Sequence, residues 1–380
     1  MIFDQLYNTS DPVIWIIAGM LAFSLLIQFI YYLFIYARVP GHRSPKTETK
    51  PIPVSVVICA RNEAENLSKN LPRFLSQEYP EYEVVVVNDC STDHTEEVLM
   101  NMKVKYPNFR YTTIPQDNKF THGKKLALTV GIKSANHEHM LLSDADCYPS
   151  TDQWIRSMTR HFSKETELIL GVGKYERKRG LLNIIVRYET LYTAMQYLSF
   201  AIRGKAYMGV GRNMAYKKEL FYRHKGFASH LKVLSGDDDL FVNEATTKKN
   251  TAVEFSHGSL TLSSPPASFN GWFKQKKRHL SSSKYYRFSS KFRLGMEYFT
   301  RILFYSSSIF LLFTEHWKWV GIGALVLLAL VRMLIVKLTM QRLDERDLLL
   351  PSLLLDPLMP LILAAVWIAN YIRPREPKWN

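Results

Sequence analysis

The sequence predicts an α/β domain with a mostly parallel central sheet, carried between N- and C-terminal transmembrane helices. Three observations lead there. Apolar, β-branched runs of strand length alternate with helical segments from residue 53 to residue 146. Long apolar stretches with few charges lie before and after that region. Polar and acidic residues gather where the runs stop.

The chain has 380 residues and 47% hydrophobic content, which suits one sizeable domain with additional segments. Lysine and arginine (49) exceed aspartate and glutamate (34), for a net charge of +15. That balance admits a nucleic-acid partner. However, the basic residues are spread along the chain, with local groups beside apolar stretches, as in Lys174 to Arg179 and Lys274 to Arg278. This distribution points to an anionic membrane surface, and no nucleic-acid partner is expected.

Residues 12–37 contain no acid or base until the run ends, and their length exceeds the roughly 20 apolar residues that cross a bilayer. The stretch is too long for a secretory signal, lacks a basic start and shows no clear cleavage site. Arg38, His42, Arg43, Lys46 and Lys50 follow, which places that flank in the cytoplasm. Residues 52–263 are expected to form a soluble domain, and residues 264–297 a basic, aromatic interfacial segment. Residues 298–372 are expected to hold two or three membrane helices. Tyr298 to Phe313 is short and carries Arg301, so it fits either a span or a helix lying along the interface. Trp317 to Val336 carries Arg332, and Leu348 to Ile372 carries Pro351, Pro357 and Pro360. The expected setting is the cell (inner) membrane, multi-pass, with the catalytic domain cytoplasmic. Cys59, Cys90 and Cys147 show no disulfide framework and no zinc-site spacing.

Within the soluble region, PVSVVICA (53–60) and EVVVVND (83–89) read as strands buried on both faces. FRYTTIP (109–115) and HMLLSDAD (139–146) read as further strands. Leu67, Leu71, Phe74 and Leu75 recur at helical spacing, and GKKLALTVGIKSA (123–135) reads as another helix. STDHTEEVLMNM opens with Asp93 and Glu96 spaced as a capping box. This alternation is the pattern of an open parallel sheet covered by helices. Ligands of such sheets bind outside the carboxyl ends of the strands. Arg61, Asn62 and Glu63 end the first strand, Asn88 and Asp89 the second, and Asp144 and Asp146 the fourth. Loop polarity and helix capping account for any one of these clusters, but poorly for three together.

Residues two apart in extended backbone face the same side, so Asp144 and Asp146 are expected side by side. Carboxylates about 5 Å apart repel by about 3 kcal/mol at an effective dielectric of about 20. A hard cation, Mg2+ or Mn2+, relieves that cost and bridges to substrate phosphates. Asp89 offers an acceptor to a base N–H or to ribose hydroxyls. Lys124 opens a helix where free N–H groups favour phosphate, or else belongs to a solvated basic face. Asp237, Asp238 and Asp239 follow Ser235, a candidate helix cap, and a general base among them could take a proton from an attacking hydroxyl. Gln275 and Arg278 share a helix face, and Arg278 could hold a leaving diphosphate, or sit in a membrane-surface basic stretch. No Walker motif and no G-x-G-x-x-G is present.

In order and spacing, these clusters resemble the membrane-anchored inverting glycosyltransferases of family 2, which have the GT-A nucleotide-sugar-binding fold. The resemblance covers about residues 52–285. VSVVICARNEAENL is similar to the family's opening strand and loop, which implies donor contacts from Ala60, Arg61 and Glu63. VVVVNDCSTDHT implies that Asp89 contacts uracil, and HGKKLAL places Lys124 at the usual lysine. SDAD matches the metal-binding D-x-D, implying Asp146 and Asp144 as ligands with the donor diphosphate. GVGRNMAYKKELF (209–221) resembles the acceptor-side segment before the base. Two places depart. The family often shows Glu-Asp-x-Asp where this chain has Gly236-Asp237-Asp238-Asp239; register favours Asp237 as base, with Asp238 the alternative. Synthase-like members carry Gln-x-x-Arg-Trp, where this chain has Gln275 to Arg278 followed by His279.

The resemblance therefore implies a hexosyltransferase that moves a sugar from a nucleotide-sugar, a UDP-sugar first, to a lipid or lipid-linked acceptor with Mg2+ or Mn2+. The long apolar segment 181–202 fits a lipid guide or a plain core helix. A processive polysaccharide synthase is the second reading. A catalytically silent nucleotide-sugar-binding scaffold and a metal-dependent nucleotidyl transferase are rivals of other classes.

Overall fold

The structure is a computed structural model that describes residues 12–44, 50–117, 122–233 and 235–372. Its contacts divide the chain into two units. One is built on Arg43–Tyr286, the other on the described residues up to His42 with Arg287–Ala369.

The first unit carries a seven-stranded sheet and a three-stranded one. In chain order the strands are β1 Val54–Ala60, β2 Tyr82–Asp89, β3 Phe109–Ile114, β4 His139–Asp144 and β5 Cys147–Pro149, then β6 Leu168–Leu170, β7 Gly173–Tyr175, β8 Met214–Lys217, β9 Thr251–Val253 and β10 Thr261–Ser263. The large sheet runs β3-β2-β1-β4-β8-β6-β9; β5, β10 and β7 form the small one. The four strands expected from the sequence are present and parallel, and β8 is antiparallel to both its neighbours.

β1 is buried at all seven positions because both its faces are covered. Val54, Val56, Ile58 and Ala60 pack with Leu67, Leu71, Phe74, Leu99 and Trp154 on one face. On the other, the helix Lys124–Ser134 lies close over β1 and β2. A Cβ at Gly131 would sit 2.6 Å from a Val57 methyl, so glycine permits this approach. The register pairs Cys59 with Asp144 and Ala60 with Asn88. The strand ends are therefore level, and their loops open on one edge. The helix Leu181–Ile202 has sixteen of its 22 residues buried and packs on β7 and β9, which makes it a core helix.

The second unit is helical. Three helices are long and apolar enough to cross a membrane: Pro12–Gly41, Lys318–Arg342 and Arg346–Ile372. A fourth, Phe288–Leu312, does not meet that measure, and it begins ten residues before the expected segment at Tyr298. Its charges made the first turns read as surface. Glu297 and Arg301 are in fact buried and paired one turn apart. The helix packs on Pro12–Phe29 through Phe304 and Leu311 against Ile14 and Leu21. Gln28 donates to the Glu297 carbonyl and the Thr300 hydroxyl, both at 3.0 Å.

Candidate active site

The loops after β1 and β2 are laced together. Asn62 stands in the left-handed region (φ 55°), which Asn tolerates better than most residues. Its side-chain oxygen accepts from the Thr92 N–H at 2.8 Å, and its own N–H donates to Ser91 Oγ at 2.9 Å. Asp93 accepts from the N–H groups of Thr95 and Ala64, both at 3.1 Å, so it ties the starts of two helices. The expected capping box does not close, because Glu96 accepts from Asn88 (2.6 Å) and Thr113 (2.7 Å) instead. Ala60 is buried at the end of β1, and Arg61 is half-buried in the loop beyond it.

Asp89 is fully buried at the end of β2. One carboxylate oxygen meets His122 Nδ1 at 2.8 Å and the Cys90 thiol at 3.6 Å. The other has no hydrogen-bond partner among the described residues.

Lys124, the first residue of its helix, joins the cluster at the end of β4 to the Asp237–Asp239 run. Its ammonium lies 2.7 Å from Asp144 and 3.0 Å from Asp237. Desolvation alone would depress this lysine. The charges of Asp144, Asp237 and Asp238 outweigh it and hold the ammonium well above its ordinary range. Burial would likewise raise Asp237, but Lys124 overcomes that and holds the carboxyl below the usual carboxylate range. Lys125 points elsewhere, donating to the carbonyls of His230 (2.7 Å) and Val233 (2.6 Å), and burial lowers it to about 8.

The three consecutive aspartates have three different surroundings. Asp238 accepts from the N–H of Asp239 (2.7 Å), capping the helix Asp239–Ala245, and from Gly211 N–H (2.8 Å). The cap is thus Asp238 and not Ser235, whose hydroxyl donates to the Arg278 carbonyl at 3.4 Å. Burial and the flanking Asp237 and Asp239 charges push Asp238 up to about 7. Asp239 is buried and receives the hydroxyls of Ser282 (2.5 Å) and Tyr286 (2.6 Å). Of the three, only Asp237 pairs with Lys124 beside the end of β4.

Asp144 and Asp146 do come together, but not by strand alternation. The chain turns at Ala145 and Asp146 and re-enters as β5. Ligand atoms of Asp144, Asp146 and Cys147 all lie within 4.8 Å of one another. Two adjacent carboxylates are hard oxygen donors and suit Mg2+ or Mn2+; the Cys147 thiol is buried and soft. Nearby, Glu63 is raised to about 7, first by desolvation and then by the charges of Asp146, Asp144 and Asp93. This edge of the site therefore carries more carboxylates than Lys124 pairs with, and the buried Arg212 guanidinium also acts on Asp146 and Asp144.

The helix Phe269–Ser282 supplies the remaining candidates. Gln275 accepts from the Tyr175 hydroxyl at 3.3 Å. The Arg278 guanidinium makes no hydrogen bond or ion pair with the described residues. Lys276 is not a solvated membrane-surface charge: it forms a buried ion pair with Glu189 of the helix Leu181–Ile202.

Two features were missed from sequence. A Cβ at Gly211 would lie 3.0 Å from the Lys124 nitrogen and 3.4 Å from Asp237 and Asp238 oxygens, so glycine lets the backbone approach all three. The Gly209-x-Gly211 spacing was its signal. His122 reaches Asp89 across 33 residues, which no local pattern announces.

The comparisons with known proteins agree with this architecture. The family described as "Glycosyl transferase family 2" matches residues 55–224, from β1 past β8. Residues 55–224 are thus similar to a family 2 glycosyltransferase domain. The chain is 32% identical over 169 residues to poly-β-1,6-N-acetyl-D-glucosamine synthase of Staphylococcus epidermidis, covering 43% of this chain and 39% of the synthase. It is 30% identical over 209 residues to glycosyltransferase AglE of Haloferax volcanii, covering 53% of this chain and 63% of that one. The chain thus spans about two fifths of the length of the first curated relatives it matches, 39% in each case. Among solved structures, mannosyltransferase PcManGT from Pyrobaculum calidifontis, in complex with GDP-Man and Mn2+, is similar with a TM-score of 0.57. That likeness covers 94% of this chain and 100% of the other at 17% identity, and it is a likeness of fold. Asp237, Asp238, Gln275 and Arg278 lie beyond the residues the family 2 domain matches, so their roles rest on geometry.

Proposed function

We propose that the protein is a membrane-bound inverting glycosyltransferase that moves a sugar from a nucleotide-sugar, most simply a UDP-sugar, to a hydroxyl acceptor. The observation that carries this reading is the Lys124 bridge, which joins Asp144 of the donor edge to Asp237 of the acceptor side. The reading places the catalytic unit on the cytoplasmic side of the cell (inner) membrane, with the apolar helices as a multi-pass anchor.

Asp144 and Asp146 would hold Mg2+ or Mn2+, which supplies positive charge against the donor diphosphate. Ala60, Arg61, Glu63 and Asp89 line the nucleotide side, and the uncommitted oxygen of Asp89 suits a base N–H. Arg278, with no other partner among the described residues, is available to the diphosphate, and Gln275 lies one turn before it. Asp237 takes the acceptor proton. The acceptor oxygen bonds to the anomeric carbon from one face, and the diphosphate leaves from the other with the bonding electrons. An incoming diphosphate competes with Asp237 for the Lys124 ammonium. As that pair loosens, the cause of the low Asp237 pKa is withdrawn, and the base strengthens when a proton must be taken.

For the acceptor, a lipid or lipid-linked hydroxyl fits a catalytic domain in one chain with three helices apolar enough to span a membrane. A processive polysaccharide synthase is the second reading, favoured by the 32% identity to a synthase of that class. One experiment separates the readings. Detergent-purified protein, membrane lipid extract, Mn2+ and a panel of UDP- and GDP-sugars are assayed for nucleotide release, with Asp237→Asn alongside. Lipid-dependent release that collapses in the variant supports the first reading. A product of many sugar units moves the assignment to the second. Donor binding without turnover overturns both in favour of a silent binder.

A further inference from the structure

Asp89, Cys90 and His122 bring one oxygen, one sulfur and one nitrogen to a point at the end of β2. Their ligand atoms lie within 4.8 Å of one another. The separations are 2.8 Å between Asp89 Oδ1 and His122 Nδ1, 3.5 Å between Cys90 Sγ and Nδ1, and 3.6 Å between Sγ and Oδ1. Zinc binds nitrogen and oxygen at about 2.0 Å and thiolate sulfur at about 2.3 Å; tetrahedral angles then set the edges to sulfur at about 3.5 Å and the oxygen–nitrogen edge at about 3.3 Å. Both edges to sulfur already have that length. The third, now a hydrogen bond, needs to open by about half an ångström.

The histidine is prepared for either state. His122 Nε2 lies 3.0 Å from the Asp117 N–H and 3.2 Å from the Asp117 carbonyl. With a proton on Nδ1, Nε2 accepts from the N–H, as suits the hydrogen bond to Asp89. With Nδ1 bare for a metal, Nε2–H donates to the carbonyl, the usual support of a metal-bound histidine. Cys90 is a free thiol and half-buried, so a cation can reach it. The second Asp89 oxygen is buried without a partner among the described residues.

We propose that Asp89 Oδ1, Cys90 Sγ and His122 Nδ1 form a binding site for one borderline-soft divalent cation of the zinc class, distinct from the Asp144–Asp146 pair. Cysteine spacing carries no zinc signature, because the third ligand arrives from a distant loop. Binding replaces the thiol proton, which passes to solvent. If Asp89 Oδ2 faces the donor base, as the proposed function has it, zinc on Oδ1 draws charge from the same carboxylate and weakens its hold on the nucleotide.

The test uses the full-length protein in detergent, stripped of metal and titrated with Zn2+ against a chromophoric chelator, and with Co2+ for its thiolate absorption. One equivalent of Zn2+ is expected, with a cobalt–thiolate band. Cys90→Ser and His122→Gln, checked for folding by circular dichroism, should each weaken zinc binding at least about tenfold. Asp146→Asn should change it less than about twofold. Zinc binding that survives both ligand variants, or that disappears in Asp146→Asn, overturns the site. A second titration adds UDP. Competition with zinc is expected; normal ligand-dependent zinc binding with no UDP competition leaves the metal site standing and removes Asp89 from the donor pocket.

Discussion

Each unit of this protein buries a cluster of charges, and the two clusters are built on opposite principles. In the helical unit, Arg301 pairs with Glu297 and, at 3.6 Å, with Asp356. Arg332 pairs with the same Asp356 and donates to the Tyr305 hydroxyl, which in turn donates to Asp356 at 3.0 Å. Two arginines meet two acids, and all four are buried. In the globular unit, one lysine serves Asp144 and Asp237, while Asp146 and Glu63 add further acids at the same edge. The first set is balanced and closed. The second holds more acids than the two cations that act on them, Lys124 and the buried Arg212, and has an open side. A buried ion network that balances itself serves to fix how helices assemble. One that stays in deficit stores an electrostatic cost that a bound cation relieves.

The largest test of that contrast is Asp237→Asn. The variant keeps the side chain's shape and loses the proton acceptor, so turnover should fall about 10³-fold while donor affinity stays near wild type. A fall confined to donor affinity would instead place Asp237 on the donor side. Lys124→Met follows, with an expected loss of about 10²-fold. Its pH profile is more telling than its size. Lys124 holds Asp237 low, so without it Asp237 titrates at higher pH, and the acid limb of the rate profile should move upward. An unmoved limb would show that Asp237 is not the group whose ionisation the rate follows.

The balanced cluster should answer differently. Asp356→Leu leaves both arginines short of a partner and should cost about 3–5 kcal/mol, read as a loss of thermal stability in detergent. Arg332→Leu alone should cost a similar amount. The double variant removes one charge of each sign and leaves the Arg301–Glu297 pair, so it should recover most of the loss. Sugar transfer by the folded fraction should persist throughout. If the double variant is stable yet inactive, the network takes part in function and the contrast between the two clusters fails.

The sequence made parts of this contrast readable and hid others. β1, β2 and β4 were legible because strands covered on both faces are continuous apolar runs. The acids at their ends were legible because parallel register levels those ends. The strands of three and four residues, β5 to β10, were too short to leave a period. Asp237, Asp238 and Asp239 are the same residue type in a row, so only backbone direction separates the residue at Lys124 from the helix cap and from the partner of Tyr286. Glu297 and Arg301 did offer a signal, an opposite pair one helical turn apart, but the sequence reading weighed Arg301 only as an interruption of an apolar run. His122 and Gly211 depend on tertiary approach across long separations.

The smallest expected effect bears on where the cation sits. Desolvation first, and then the Asp146, Asp144 and Asp93 charges, raise Glu63 from 4.5 to about 7. The folded state therefore binds this proton more tightly than the unfolded chain. The stability it contributes is fully present below about pH 4.5 and is lost as pH rises through about 7. Wild type should lose thermal stability across that window relative to Glu63→Gln, which has no proton to lose. The difference should be roughly 2 °C. Mn2+ held between Asp144 and Asp146 would offset two of the charges that raise Glu63, so the gap between wild type and variant should narrow when Mn2+ is added. A gap that Mn2+ leaves unchanged would mean that the cation does not bind at that pair, and the acids of the globular cluster would then have to be met by Lys124 and Arg212 alone.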